Sequence, residues 1–197
     1  MPIIGLQSPI LSGGPAPSSL ADLARRHADR IGGDGPVRLL GWSFGGALAL
    51  VLAAELRARG REVTFAGMLD TRRDTAEGDV ADLLRELGFT VPPGTRTVAD
   101  AVALIRASDD PVAVLTDGQI ARVVENYLAS DRLLATAEYP PYRGEVFFAD
   151  ATASGRASAG WPEPRLAKHE LPVDHSEILD PATLERLGPL LASALRA

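Results

Sequence analysis

Residues 37 to 45 read Val-Arg-Leu-Leu-Gly-Trp-Ser-Phe-Gly, and this stretch decides the fold. Its apolar start, residues 37–40, is typical of a short buried strand, and residues 46–59 have the pattern of a long helix. The centre, residues 41–45, has the form G-x-S-x-G. A serine on the sharp turn between a strand and a helix is held in a strained conformation that exposes its hydroxyl. We therefore predict that Ser43 is a nucleophile.

The neighbours of Ser43 are expected to serve this turn. We expect glycine to be required at positions 41 and 45, because side chains there would collide as strand and helix pass close together. The turn also places the first helix amides beside Ser43, where they can face a developing oxyanion. The backbone amide of Phe44 is the oxyanion donor that the sequence predicts.

Composition narrows the class of protein without identifying it. The chain has 197 residues, enough for one domain with a substantial core, and 46% of them are hydrophobic. It has no cysteine, which excludes disulfides, thiolate metal sites and a cysteine nucleophile. A net charge of −6 argues against nucleic-acid binding. No apolar run is long enough to cross a bilayer and no signal peptide is evident, so we expect a cytoplasmic protein.

Strand and helix patterns alternate on both sides of a long helical block. Strands are predicted at residues 2–7, 37–42, 62–69, 144–149 and 167–172, and flanking helices at 19–31, 46–59 and 181–195, the last kinked or divided at Gly188-Pro189. A strand, a helix and a strand at this spacing form a crossover unit of a parallel sheet. Residues 151–160 read as a mobile loop.

Residues 71–138 contain no convincing strand. Helical patterns are predicted at 80–87, 98–107 and 118–135. One face of the last helix carries an apolar stripe, formed by Ile120, Val123, Val124, Tyr127 and Leu128. We expect most of these residues to pack against neighbouring helices, although the same stripe could line an acyl pocket.

A serine hydroxyl needs a base, and the base needs an acid that orients it. His175 follows the last predicted strand and is the candidate base, whereas His27 and His169 lie inside predicted elements and are interpreted as structural. Two candidate acids, Asp70 and Asp150, each end a parallel strand, where open α/β sheets place their sites. Geometry alone leaves both open. Asp174 adjoins His175 and is expected on the surface.

Six short segments resemble the thioesterase domains that end nonribosomal peptide and polyketide synthetases. In chain order they are 5–7 (Gly-Leu-Gln), 40–46 (Leu-Gly-Trp-Ser-Phe-Gly-Gly), 68–71 (Met-Leu-Asp-Thr), 142–144 (Tyr-Arg-Gly), 161–162 (Trp-Pro) and 174–179 (Asp-His-Ser-Glu-Ile-Leu). The resemblance implies an α/β-hydrolase-type, mostly parallel sheet with flanking helices. It also implies that residues 1–197 form a single domain with a helical lid at about 71–138, and that the acid is Asp70.

The family has further strands before the one that 2–7 resembles. One of them lies centrally in the sheet, and the loop after one of them donates a second oxyanion amide. Residues 1–36 offer no replacement, so we expect a domain truncated at its N-terminus, completed by a separate segment, or rearranged in its sheet.

The resemblance implies an enzyme that releases an acyl or peptidyl chain from a carrier protein. The catalytic residues would be Ser43, Asp70 and His175, and the substrate would be a thioester on the carrier's phosphopantetheine arm. Release would be hydrolytic or cyclising and would need no metal or small-molecule cofactor, nucleic acid or membrane. Two rivals are a stand-alone editing thioesterase and a non-catalytic fragment that only binds a partner.

Overall fold

The computed structural model describes residues 3–73, 77–153, 161 and 165–196. The chain divides into two compact units, Met1–Ser18 with Ala76–Thr136, and Ser19–Thr75 with Ala137–Ala197. The second unit contains the sheet and all of the predicted site residues, and we call it the sheet unit. The first unit is helical and we call it the helical unit. No helix among the described residues combines the length and apolarity needed to span a bilayer.

The sheet unit is built on four parallel strands that follow the order of the chain. They are β1 (Val37–Trp42), β2 (Val63–Leu69), β3 (Glu145–Ala151) and β4 (Arg165–Leu171). The helices of this unit are α1 (Leu20–Ala28), α2 (Phe44–Ala58) and α6 (Pro181–Ala194), with a 3₁₀ helix at His175–Leu179. The predicted parallel sheet with flanking helices is therefore confirmed.

Helices flank this sheet because the apolar faces of the sheet and of the helices are shielded from water when they pack together. α2 packs on β1 and β2, and α1 packs on α2. Odd-numbered residues of β2 and β3 form an apolar cluster with the last residue of β4 and with residues that follow it, since side chains alternate along a strand. The cluster consists of Phe65, Leu69, Phe147, Ala149, Ala151, Leu171, Ile178 and Leu187. Leu187 and its partly buried neighbours pack there. α6 continues past Pro189, so the helix is not divided there, and a kink at Gly188-Pro189 stays a prediction.

The helical unit contains α3 (Val80–Glu86), α4 (Val98–Arg106) and α5 (Asp117–Ala135), with 3₁₀ helices at Pro9–Ser12 and Pro111–Val114. Each α-helix begins with a capping box, which satisfies backbone donors that a helix start leaves free. Ile120 and Val124 are buried in a core with α3 and α4, so the packing interpretation of the α5 stripe is confirmed for them. Whether this unit is a lid stays a prediction.

Two other expectations concern segments outside these elements. The strand predicted at residues 2–7 is wrong for its described part, 3–7, which forms no strand. Ile3 and Ile4 are 93% and 80% exposed. Apolar residues form a strand only where a neighbouring strand accepts their backbone hydrogen bonds, and these residues belong to the helical unit. Most of the predicted mobile loop, residues 154–160, lies outside the described residues.

The glycines of the β1–α2 turn give a test of this packing. A Cβ on Gly41 would lie 2.0 Å from the carbonyl oxygen of Gly45, which is backbone and cannot rotate away. Gly41→Ala should therefore lower the free energy of unfolding by at least about 1–3 kcal/mol, the usual cost of overpacking. Gly45→Ala is the matched control: a Cβ there meets nothing within 4 Å. Chemical denaturation of both variants measures the difference, and equal stabilities would contradict this account.

Candidate active site

Ser43 forms the turn between β1 and α2, with φ 53° and ψ −123°. Positive φ is uncommon for residues other than glycine and indicates strain that the surroundings must hold. The Ser43 amide donates to the carbonyl of Leu69 at 2.9 Å, and the Ser43 carbonyl accepts from the amide of Gly46 at 3.0 Å. Backbone bonds on both sides therefore fix the predicted nucleophile at the end of β1.

The glycines that this turn requires differ by one position from the expectation. Gly41 is needed, as predicted, because β1 and α2 pass in contact there. Gly45 has open space where a Cβ would lie, so its predicted steric role is wrong. The second required glycine is Gly46, where a Cβ would lie 1.8 Å from Thr71 Oγ1 and 3.0 Å from the carbonyl oxygen of Gly41. Gly46 is thus the residue that lets α2 start against the end of β2.

Asp70 follows β2 and has φ 41°. Within the described residues, Ser43 and Asp70 are the two non-glycine residues with positive φ. The Asp70 amide donates to the carbonyl of Ala149 at 2.7 Å, and Asp70 Oδ1 accepts from the amide of Ala151 at 3.1 Å. The carboxylate is therefore held by the backbone of β3 and is buried.

His175 begins the 3₁₀ helix after β4, and its Nδ1 lies 2.5 Å from Asp70 Oδ2. The imidazole is 23% exposed and the carboxylate 6%. Burial alone would raise the pKa of Asp70, but the hydrogen bonds from His175 and Ala151 and the nearby charges outweigh it and lower the pKa. An ionised Asp70 accepts a hydrogen bond from Nδ1–H, which leaves Nε2 as the ring nitrogen able to act as a base.

Trp42 packs against this imidazole next to the turn that contains Ser43. Its ring stacks on His175 with the ring centroids 5.1 Å apart and the planes 27° from parallel. Because Trp42 directly precedes Ser43, the stacked imidazole lies beside the turn that carries the hydroxyl. The structure thus collects Ser43, Asp70 and His175 at the carboxyl ends of β1 and β2.

The alternative acid has a different partner. Asp150 Oδ2 lies 2.7 Å from Lys168 Nζ on β4, and Asp150 is buried. Asp150 is an even-numbered residue of β3 and points to the same side as Phe148, whereas Ala149 and Ala151 face the cluster that contains Ile178 of the 3₁₀ helix. The strand's alternation therefore turns Asp150 away from the side on which that 3₁₀ helix packs.

The other histidines lie elsewhere in the sheet unit. His27 is buried in α1, where burial, and secondarily Arg30, lower its pKa. His169 on β4 stacks on Phe147. Asp174 is exposed, and its amide donates to the Glu177 carboxylate. Across the described part of the chain, no three side chains of His, Cys, Asp or Glu form a group suited to a metal ion.

Sequence reasoning assigned no role to two residues that contact the site. Trp42 stacks on His175, and Thr71 Oγ1 donates to the carbonyl of Ser43 at 3.1 Å. Both flank a predicted site residue in the sequence, which is the one signal that could have indicated them. Neither contact follows from periodicity, because each joins segments that the fold alone brings together.

Comparison with known proteins gives the family. The model of the thioesterase domain family matches residues 2–188. Vanchrobactin synthetase VabF of Vibrio anguillarum is 30% identical over 206 residues, and enterobactin synthase component F of Escherichia coli (strain K12) is 30% identical over 213. These alignments cover 100% and 98% of the chain, but the chain spans only 7% and 15% of the length of those two proteins.

Solved structures agree with this assignment. The NocB thioesterase domain, in a covalent complex with a fluorophosphonate nocardicin G analogue, is 27% identical with a TM-score of 0.66, and the match covers 91% of this chain and 76% of that one. A four-domain nonribosomal peptide synthetase, AB3403, shares the fold with a TM-score of 0.78 at 22% identity; the match covers 95% of this chain and 17% of that one. The parallel sheet with flanking helices is that of α/β-hydrolase-type thioesterase domains. The chain therefore belongs to the thioesterase domain family, with relatives among nonribosomal peptide synthetases.

Proposed function

We propose that this chain is a serine thioesterase that releases an acyl or peptidyl chain from the phosphopantetheine arm of a carrier protein. The observation that carries the proposal is the hydrogen bond between His175 Nδ1 and Asp70 Oδ2, formed beside the strained turn of Ser43. Two residues with positive φ and a paired imidazole at one end of a sheet are typical of a catalytic site.

The first half of the reaction transfers the acyl group to the enzyme. Ser43 Oγ attacks the thioester carbonyl while His175 Nε2 takes the hydroxyl proton, and the carbonyl oxygen becomes an oxyanion. The carbon–sulfur bond then breaks, and the proton on His175 passes to the departing thiolate. Asp70 stays ionised throughout, holds the imidazole in the required tautomer and stabilises the imidazolium. The product is an acyl-Ser43 ester and a free pantetheine thiol.

The second half frees the chain. Water, or a hydroxyl or amine of the acyl chain itself, loses a proton to His175 and attacks the ester carbon. The bond from that carbon to Ser43 Oγ then breaks, the proton on His175 passes to Ser43 Oγ, and the product leaves as an acid or a ring. The oxyanion accepts a hydrogen bond from the amide of Phe44, the first residue of α2. This amide is available because the first amides of a helix have no acceptor inside the helix. The acyl carrier is the partner that this chemistry requires, and the chain's own residues supply every proton transfer without a further cofactor.

Replacing the nucleophile is the direct test. Ser43→Ala should abolish labelling by a fluorophosphonate and turnover of an acyl N-acetylcysteamine thioester, because no other group in the proposed mechanism can form the acyl ester. Intact-protein mass spectrometry detects the label. Ser176→Ala, which removes an exposed serine next to His175, is the control and should be labelled normally. Normal labelling of Ser43→Ala would refute the serine mechanism, and an unlabelled wild type would favour a non-catalytic domain.

The acid is tested by a matched pair of amides. Asp70→Asn should fold but lose about 10⁴-fold in kcat, the loss that follows when the catalytic aspartate of a serine protease becomes an amide and the imidazole takes the wrong tautomer. Asp150→Asn should keep most of its activity, since its partner is the half-exposed Lys168. Steady-state kinetics on both variants decide between the two carboxylates, and the reverse result would move the acid to Asp150.

The hydrogen bond between Asp70 and His175 should also affect how the free energy of unfolding depends on pH. A carboxyl whose pKa is lowered by folding stabilises the folded state above its ordinary pKa of about 3.9, and loses that contribution as pH falls through the lower, folded pKa. The difference in free energy of unfolding between wild type and Asp70→Asn should therefore shrink as pH falls below about 4. Urea denaturation at several pH values measures it. A difference that stays constant down to full protonation would contradict an ionised, paired Asp70.

A further inference from the structure

Thr71 connects the turn of the acid to the turn of the nucleophile. It is 1% exposed, and its hydroxyl donates to the carbonyl of Ser43 at 3.1 Å. A hydroxyl has one proton, and the alternative acceptor, the carbonyl of Leu69, lies farther away at 3.5 Å. The hydrogen bond to Ser43 therefore crosses from the residue after Asp70 to the backbone of the predicted nucleophile.

This bond acts on a rigid group. The Ser43 carbonyl and the Phe44 amide belong to one planar trans peptide, in which the C=O and N–H point in opposite directions. A donor that holds the oxygen in place therefore also fixes the direction of the N–H on the far side of the plane. That N–H is the oxyanion donor of the mechanism proposed above.

We propose that Thr71 is a positioning residue that aims the Phe44 amide at the oxyanion of the transition state. The inference rests on the proposed function, since it needs an oxyanion to form at Ser43. As Ser43 Oγ bonds to the carbonyl carbon, negative charge moves onto the carbonyl oxygen, and a correctly directed amide stabilises that charge most. The hydroxyl also polarises the peptide it binds, because hydrogen bonds in a chain strengthen one another.

The surroundings of Thr71 fit this role. The space for its hydroxyl exists because residue 46 is glycine: a Cβ there would lie 1.8 Å from Thr71 Oγ1. The other end of the residue is held as well, since the indole N–H of Trp161 donates to the Thr71 carbonyl at 3.1 Å. Trp161 is itself buried and packs edge-on against Tyr139. Thr71 is thus fixed from both sides, as a residue that sets another group's direction must be.

Removing the hydroxyl alone gives the test. Valine matches the shape of threonine, and the Ser43 carbonyl keeps its bonds from the amides of Gly46 and Ala47, so Thr71→Val leaves no buried acceptor unpaired. We expect kcat for an acyl N-acetylcysteamine thioester to fall about tenfold with KM unchanged. This is smaller than the 10²–10³-fold loss from deleting an oxyanion donor outright, because the amide remains and is only less well directed.

Two further measurements separate positioning from general damage. An alkylboronic acid forms a tetrahedral, negatively charged adduct with an active serine, so its Ki should rise by the same factor as kcat falls. Thr71→Ser restores the hydroxyl and should recover most of both losses. Thr64→Val, the same substitution at the exposed, opposite end of β2, is the matched control and should change neither. Titration of active sites with a fluorophosphonate corrects every rate for folded protein.

The outcomes are distinct. If wild-type Ser43 is labelled but Thr71→Val keeps full kcat and boronate affinity, the role of Thr71 is refuted while the serine mechanism stands. If Thr71→Ser loses as much as Thr71→Val, the hydroxyl is not responsible and the inference is equally refuted. If wild-type Ser43 is not labelled at all, the proposed function fails and this inference falls with it.

Discussion

The close passage of β1 and α2 at Gly41 is the constraint on which the site depends. The chain leaves the sheet and enters the helix with no room for a side chain between Gly41 and the carbonyl of Gly45. To reverse within so few residues, Ser43 must adopt a positive φ. The same reversal aims the start of α2 at the end of β2, which is where Asp70 and Thr71 lie. Gly41, together with Gly46, thus sets the direction of the helix and the residues that lie beside the turn.

Such a turn is costly and needs support from outside it. Positive φ at two non-glycine residues, Ser43 and Asp70, costs about 1–3 kcal/mol each. The support comes from α2, whose large aliphatic side chains Leu50, Leu52 and Leu56 are fully buried. Burying each such side chain contributes about 1.5–3 kcal/mol, so the helix that begins at the strained turn supplies enough packing energy to offset it. The strain at Ser43 and its compensation therefore lie in one continuous segment.

The sequence predicted the parts of this structure that local patterns specify. α2 and β2 were found because a helical period and a short apolar run are properties of one segment, and the strand-to-helix turn at Ser43 because its motif is contiguous. The choice between Asp70 and Asp150 could not be made this way. Both lie at the end of a predicted strand. They differ in the side of the sheet to which each side chain points and in its partner, which is His175 for Asp70 and Lys168 for Asp150.

The wrong predictions at residues 3–7 and at Gly45 have the same cause. Ile3 and Ile4 have the composition of a strand, yet a strand also needs a partner's backbone, which composition does not reveal. The spacing of Gly45 in the motif suggested a steric role, but the atom that demands a glycine, Thr71 Oγ1, belongs to another segment and acts on Gly46. Contacts between distant segments are set by the fold, so they become visible only when the strands are placed side by side.

Backbone groups hold most of the candidate site in place. The Ser43 amide binds the Leu69 carbonyl, and Asp70 binds the backbone of Ala149 and Ala151 through its own amide and carboxylate. None of these bonds depends on the side chains of Leu69, Ala149 or Ala151, so the predicted nucleophile and the predicted acid are held without help from those side chains. Side-chain identity matters where a side chain itself supplies the contact, as in the imidazole of His175 on Asp70 and the hydroxyl of Thr71 on Ser43.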